Sequence, residues 1–445
     1  MLKLAMRSVR QRPGRFVATL LSAFLGATII MVFNSLHDTA GAEGVDAVSE
    51  TSLSSAASVV GGYGTLLVFF AVASTLTVNV RQRSAEIELL RSIGATPAQI
   101  KRMITGEAVV VALVAVLLAV FPAMLGGRAL LDKFKDGGEV ARSVDHVFGP
   151  IALMSGLGIT LIASVGAAFL AVRRATRQLA GGRKPRGWVP MVSAVVALLG
   201  GTAGLFATFA MDDTDPIAMA PPAYGSILLA VGFALLAPVL LRGLLAVLGG
   251  LLGALGGASG YLTVRNMRER AAELSGVLMP LILFVGVSTA TLYMQAVETD
   301  ALKASGLTKS VEDKNIETLN FVIVAIIVAF ACIMLINTLY AATSYRSREF
   351  GQQRLAGATP AQVLGMVGWE GLVLTVAGVF FGTLAGLAGI VAFTVFRTDG
   401  VLPDRGLGNW LGIVAVAIAA TMVTSVGTAR RTLRTPAVVA AAATA

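Results

Sequence analysis

Long apolar runs, separated by short polar segments rich in arginine, dominate this sequence. About 20 consecutive apolar residues cross a bilayer as a helix. Ten runs reach that length: 16–36, 59–80, 108–131, 149–172, 188–211, 223–248, 274–296, 319–343, 371–396 and 409–429. No polar stretch between them is long enough for a large separate domain. The pattern predicts an all-α integral membrane protein with ten transmembrane helices.

Composition agrees. Of 445 residues, 56% are hydrophobic and 13% charged, and the mean hydropathy is +0.80. An ordinary soluble protein carries about 25% charged residues, so an array of soluble domains is excluded. The net charge of +10 would suggest nucleic acid in a soluble protein, but here it is distributed by topology. Of the 35 basic residues, 26 fall in the terminal segments and the even-numbered connections, and 9 in the odd-numbered ones. Basic segments stay in the cytoplasm, which predicts both termini there and no nucleic-acid partner. The single Cys332 excludes an intrachain disulfide and a cysteine-based zinc site. His37 and His146 stand apart, without metal-ligand spacing.

An internal repeat carries the most information. Residues 83–107 read RSAEIELLRSIGATPAQIKRMITGE and residues 346–370 read RSREFGQQRLAGATPAQVLGMVGWE; 12 of the 25 positions are identical at a constant offset of 263. The arginine flanks repeat more loosely: Arg7, Arg10 and Arg12 correspond to Arg265, Arg268 and Arg270. The chain therefore divides into a four-span unit over 1–187, a linking pair of helices over 188–255, and a second four-span unit over 256–445. An even number of helices separates the copies, so they are parallel repeats.

The repeated segment spells out a short helix, a corner and the start of the next span. Gly94 and Gly357 stand where a helix stop takes a left-handed residue. Thr96, Pro97 and Gln99, repeated as Thr359, Pro360 and Gln362, supply an N-cap, a first-turn proline and a capping box. A well-capped turn needs no charged residues of its own. Arg83, Glu86 and Arg91 nevertheless recur as Arg346, Glu349 and Arg354, which points to a docking surface for a paired partner. Glu86 and Glu349 are the expected partner contacts, with Arg91 and Arg354 aiding them or stabilising the helix. Glu107 and Glu370, at the cytoplasmic entrance of equivalent spans, either pair with a basic residue of the N-terminal segments or face interfacial water.

These features resemble the FtsX/MacB-type permeases of ABC transporters, the type VII architecture, in their ten-span fused form. The resemblance rests on R-S-x-E-[IF]-x(4)-R-x-x-G-A-T-P-x-Q between the second and third spans of each four-span unit, and it covers most of the chain. It implies a permease subunit in the bacterial cytoplasmic membrane. Two copies of a separate ABC ATPase would bind the repeated corners, and ATP and Mg would be held by those partners rather than by this chain. The sequence agrees in containing no Gly-Lys dipeptide, hence no G-x-x-x-x-G-K-[ST] phosphate loop. One departure matters. Relatives carry a folded extracytoplasmic domain after the first span, or between the seventh and eighth, whereas the loops here, 36–58 and 297–318, are short. A substrate would be met by the membrane helices or by an accessory protein. The reading that follows is ATP-driven export or extraction of a hydrophobic or amphipathic compound, such as an antimicrobial peptide, antibiotic or lipid. Its rival is a mechanotransmission protein that activates a partner without moving a substrate. Spans nearly bare of ionisable residues speak against a secondary transporter. The sequence offers no catalytic constellation.

Overall fold

The computed structural model describes residues 17–58 except 55, 84–179 except 139, 189–211, 218–304, 346–442 except 399, 404 and 405, and eight positions between 332 and 343. The expected span 59–80 and most of 319–343 lie outside the described residues, as do Asp212, Asp213 and Asp215 in the connection after the fifth expected span. Every described regular element is helical. Among the described residues, eight helices are long and apolar enough to cross a membrane. The chain forms two compact units, Met1–Lys184 with Leu307–Ile326 and Pro185–Gly306 with Ile327–Ala445.

The first unit contains α1 (Val17–Ala40), α2 (Ser84–Ser92), α3 (Pro97–Gly137) and α4 (Pro150–Leu179). Helices α1, α3 and α4 pack against one another. Small residues set the contact: Ala27 and Met31 of α1 meet Val116, Ala119 and Ala123 of α3 in one buried cluster. At the end away from α2, polar bonds replace apolar contact. The Asp38 carboxylate accepts from the Ile151 N–H at 3.0 Å and the Ala152 N–H at 2.8 Å, capping the start of α4. Thr39 Oγ1 accepts from the Val147 N–H at 3.2 Å, and Ser35 Oγ lies 3.1 Å from His146 Nε2.

The second unit contains α5 (Val189–Ala207), a 3-10 turn (Thr208–Ala210), α6 (Ala220–Glu269), α7 (Ala271–Ala304), α8 (Ser347–Leu355), α9 (Pro360–Arg397), α10 (Gly408–Leu433) and α11 (Ala437–Ala442). The linking pair packs within it: α5 lies on α6, and α6 on both α7 and α9. Helix α7 is the centre of this unit. Its apolar stretch is 89% buried, against 56% for that of α1. Leu278, Leu281, Ile282 and Val285 of α7 share a core with Leu241 and Leu245 of α6 and with Leu374, Ala377 and Phe381 of α9.

Apolar side chains gain little by leaving lipid for one another, so close packing of small residues must hold membrane helices together. The α7–α9 contact follows this rule. A Cβ on Gly386 would lie 2.9 Å from the Gly286 carbonyl oxygen and 3.3 Å from the Ala290 nitrogen; one on Gly382 would lie 2.9 Å from the Ile282 oxygen. Those neighbours are backbone and cannot swing aside. Gly386→Val should therefore lower the thermal midpoint of the purified protein in detergent, with a cost of about 1–3 kcal/mol for overpacking. Gly427→Ala, on α10 with open space beside it, should be neutral or slightly stabilising.

Candidate coupling corner

Both repeated segments fold into the same local structure. Helices α2 and α8 end at Gly94 and Gly357, with φ of 95° and 101°, which strains any residue carrying a Cβ. The Ala95 N–H reaches back to the Leu90 carbonyl at 2.9 Å, and Ala358 to Gln353 at 2.9 Å, closing both helices with the same wide turn. The chain then restarts on a capping box. Thr96 and Thr359 have φ/ψ of −74°/152° and −75°/153°. Each hydroxyl accepts from the glutamine N–H at 3.3 Å, and each glutamine Oε1 accepts from the threonine N–H, at 2.9 Å for Gln99 and 2.8 Å for Gln362. Pro97 and Pro360 open the long helices α3 and α9. Two reversals thus join helix to span with little backbone freedom. Beneath each short helix, the [IF] position of the repeat is a buried anchor, Ile87 or Phe350. Phe350 packs with Val363, Met366, Val367 and Ala429.

In the second corner the charged residues form a buried network. Arg346 and Glu370 are each only 6% exposed. The Arg346 guanidinium pairs with both Glu370 oxygens. It also donates to Glu349 Oε2 at 2.9 Å and Oε1 at 3.0 Å. From the segment entering α7, Asn266 donates to Glu370 Oε1 at 3.1 Å and Arg270 to Glu349 Oε2 at 3.0 Å. Gln353, one turn along α8, donates to Glu349 Oε1 at 3.2 Å. Three chain elements meet here: the end of α6 that leads into α7, the corner helix α8, and the start of α9. Burial works against charge on Arg346, but Glu349 and Glu370 more than offset it and push the guanidinium pKa up. Burial also opposes charging Glu349; the hydrogen bond and charge of Arg346, then Arg270 and Asn266, outweigh it and hold the carboxyl below the usual glutamate range.

Of the two alternatives for Glu370, the structure gives neither in full. The carboxylate is buried, and its main partner is Arg346 of the corner itself, with Asn266 reaching it from the segment before α7. Glu349 faces inward to this network rather than standing alone on the surface. Arg354 donates to the Leu433 and Thr435 carbonyls at 3.1 and 2.8 Å, tying α8 to the end of α10. In the first copy Glu107 is likewise buried, at 2% exposure; Glu86 and Arg91 fall on α2, and Arg83 lies outside the described residues. Sequence reasoning missed Asn266 and Gln353, which have no counterpart in the first copy to mark them. It did contain the signal for the ion pair, since the Arg and Glu are both identical between copies at the same separation. The outward faces differ: Leu89 and Ile93 in the first corner are 65% and 74% exposed, whereas the second presents Gln352 and Leu355.

Removing one member of a buried ion pair leaves its partner charged and uncompensated, at a cost of about 3–5 kcal/mol. Arg346→Met should thus destabilise the protein strongly, and Arg346→Met with Glu370→Leu much less, as read by thermal unfolding in detergent. Because the folded Glu349 carboxyl has a depressed pKa, its contribution is complete at neutral pH. It is lost only as pH falls below the usual glutamate range toward the folded value. Glu349→Gln should remove that acid-side loss.

The family described as FtsX-like permease C-terminal matches the chain twice, over residues 58–179 and 321–437, together more than half of its length. Each match contains one corner and the two long helices that follow it, α3 and α4 in the first and α9 and α10 in the second. No curated protein matches the chain. With eight described spanning helices, two copies of the capped corner and two family matches, the chain belongs to the FtsX-like permease family, membrane subunits of the ABC-transporter permease type that work with an ATPase partner.

Proposed function

We propose that this permease couples ATP hydrolysis by two separate ATPase subunits, one beneath each corner, to export or extraction of a hydrophobic or amphipathic substrate. The observation that carries this reading is the second corner: a stiff, doubly capped reversal whose buried ion network also holds the entry to α7. The working halves are 1–187 and 256–445, with 188–255 as the linking pair, both termini and both corners in the cytoplasm of a bacterial inner membrane. ATP-driven approach of the ATPases displaces α2 and α8. The displacement of α8 passes through the Thr359 cap into α9 and through Arg346, Glu349 and Glu370 to Asn266 and Arg270 at the head of α7. Short outer connections favour a substrate taken from the membrane itself over one grasped by an outer domain.

Within this reading Glu349 and Glu370 shape the second corner, Glu86 remains a candidate partner contact of the first, and the exposed tips make the main contact with the ATPase. A few well-packed residues at the centre of an interface carry most of its binding energy, about 2 kcal/mol or more each, and the first tip offers two exposed apolar side chains for such a role, Leu89 and Ile93. The docks are therefore unequal. Leu89→Asp with Ile93→Asp should sharply reduce co-purification of a co-expressed ATPase, and Leu355→Asp should reduce it less. Val401→Asp, in the connection between α9 and α10, should leave it unchanged. ATP-dependent release of a labelled amphipathic peptide from proteoliposomes holding both subunits separates export from mechanotransmission. ATPase stimulation with no movement of any amphipathic cargo would favour the latter.

A further inference from the structure

Helix α11 lies against the corner helix α8. Its six residues are too few to hold a helix in water without packing, and they are closely seated. A Cβ on Gly351 would lie 2.7 Å from the Ala441 nitrogen, 2.9 Å from the Ala437 oxygen and 3.0 Å from the Ala440 Cβ. Two of those neighbours are backbone, so only a residue without a side chain admits α11 at this distance. Arg354, one turn along α8, holds the chain just ahead of α11 through the Leu433 and Thr435 carbonyls. The position equivalent to Gly351 in the first copy is Glu88, which is exposed. The second corner is therefore cut to receive a helix on a face where the first carries a charged side chain.

What α11 presents on its other side follows from its sequence, AVVAAA. Ala440 is buried and Ala437 and Ala441 are half-buried on the side of Gly351, whereas Val438 and Val439 are 67% and 58% exposed. Alanine at the outward positions would favour the helix more, since β-branched residues lose rotamer freedom in it. The two valines thus cost helix stability and do not serve the packing on α8. The corner helices differ in a matching way. At the constant offset of 263, Leu89 and Ile93, the exposed apolar side chains of the first tip, become Gln352 and Ala356, while Leu355 stays exposed on the second. An ATPase that comes as a pair offers one surface to both corners. Apolar area removed from α8 leaves part of that surface without contact unless a neighbouring element supplies it. On the reading that ATPase subunits dock at both corners, we infer that α11 completes the second dock, with Val438 and Val439 adding to Leu355 the apolar contact that Leu89 and Ile93 make in the first.

The test uses the full chain co-expressed with its ATPase and purified in detergent, with native mass spectrometry to count ATPase subunits per permease. Val438→Asp with Val439→Asp puts carboxylates on an exposed face, so the thermal midpoint of the permease alone should not move. In a contact that excludes water the same carboxylates are strongly unfavourable. Affinity at one dock should fall about tenfold or more, and the complex should shift from two ATPases per permease toward one. Gly351→Val, which forces α11 off its seat, should do the same and lower the midpoint as well. Leu89→Asp with Ile93→Asp should remove one ATPase, and all four aspartates together should remove both. Two ATPases held at unchanged affinity in the Val438/Val439 variant would overturn the inference and leave α11 a brace for α8. If the Leu89/Ile93 variant also kept both at full affinity, the corners would not be the docks, and the proposed function would fall with it. A loss seen in lipid nanodiscs but not in detergent would make α11 a membrane-surface helix and likewise overturn its place in the dock.

Discussion

A buried arginine–glutamate pair at the edge of the membrane organises the second half of this protein. Two charges at 6% exposure carry a desolvation cost of several kcal/mol each, which only good geometry and further hydrogen bonds offset. Arg346 and Glu370 obtain these from Glu349, Asn266 and Arg270, residues drawn from elements far apart in sequence. The requirement that every buried polar group be paired therefore fixes the corner helix, the start of α9 and the approach to α7 as one body. The glycine contacts of α7 and α9 continue that body along the spans, where no polar bond is needed.

The far ends of the two units are held by different chemistry. In the second, Arg397 grips Glu298 through two bonds of 2.9 and 2.7 Å, tying α9 to α7. In the first, Asp38 caps α4 and Ser35 meets His146. His146 sits in a half-buried site where burial, then the positive charge of Arg128, push its pKa down against the opposing pull of Asp132 and Asp38. A duplicated architecture has thus kept its corners closely alike and let the opposite ends diverge. The corners answer to one demand in both copies, a fixed angle between a short helix and a span. The far ends need only closure.

Much of this was legible in the sequence. Apolar run length gave the eight spanning helices described, because bilayer thickness constrains length almost irrespective of side-chain detail. The corner was legible to the residue, since Gly94, Thr96 and Gln99 and their repeats satisfy backbone groups by local bonds that depend on sequence neighbours alone. Partner choice was not legible. Asn266 to Glu370 spans 104 positions, and nothing local distinguishes Glu349 as an inward group from a surface one. The break in α6 at Gly257, where φ is 54° and ψ is −137°, was hidden too, because nothing local tells which of several glycines in an apolar stretch will leave the helix. Nor did the sequence reveal that the linking pair packs on α7 and α9, a consequence of small residues meeting across helices far apart in the chain.

The claim that the ion network makes corner and span move together is tested most directly by a distance. Spin labels at Arg348 of α8 and Val395 near the far end of α9, both exposed, are placed in a protein that retains ATPase stimulation. Their separation is measured by double electron–electron resonance with the ATPase bound, before and after trapping with ATP. The account predicts an unchanged, narrow distance in the native protein, and a distance that shifts or broadens on trapping once Arg346→Met and Glu370→Leu are combined. A native distance that changes on trapping, or a double variant that stays as rigid as the native protein, would contradict it.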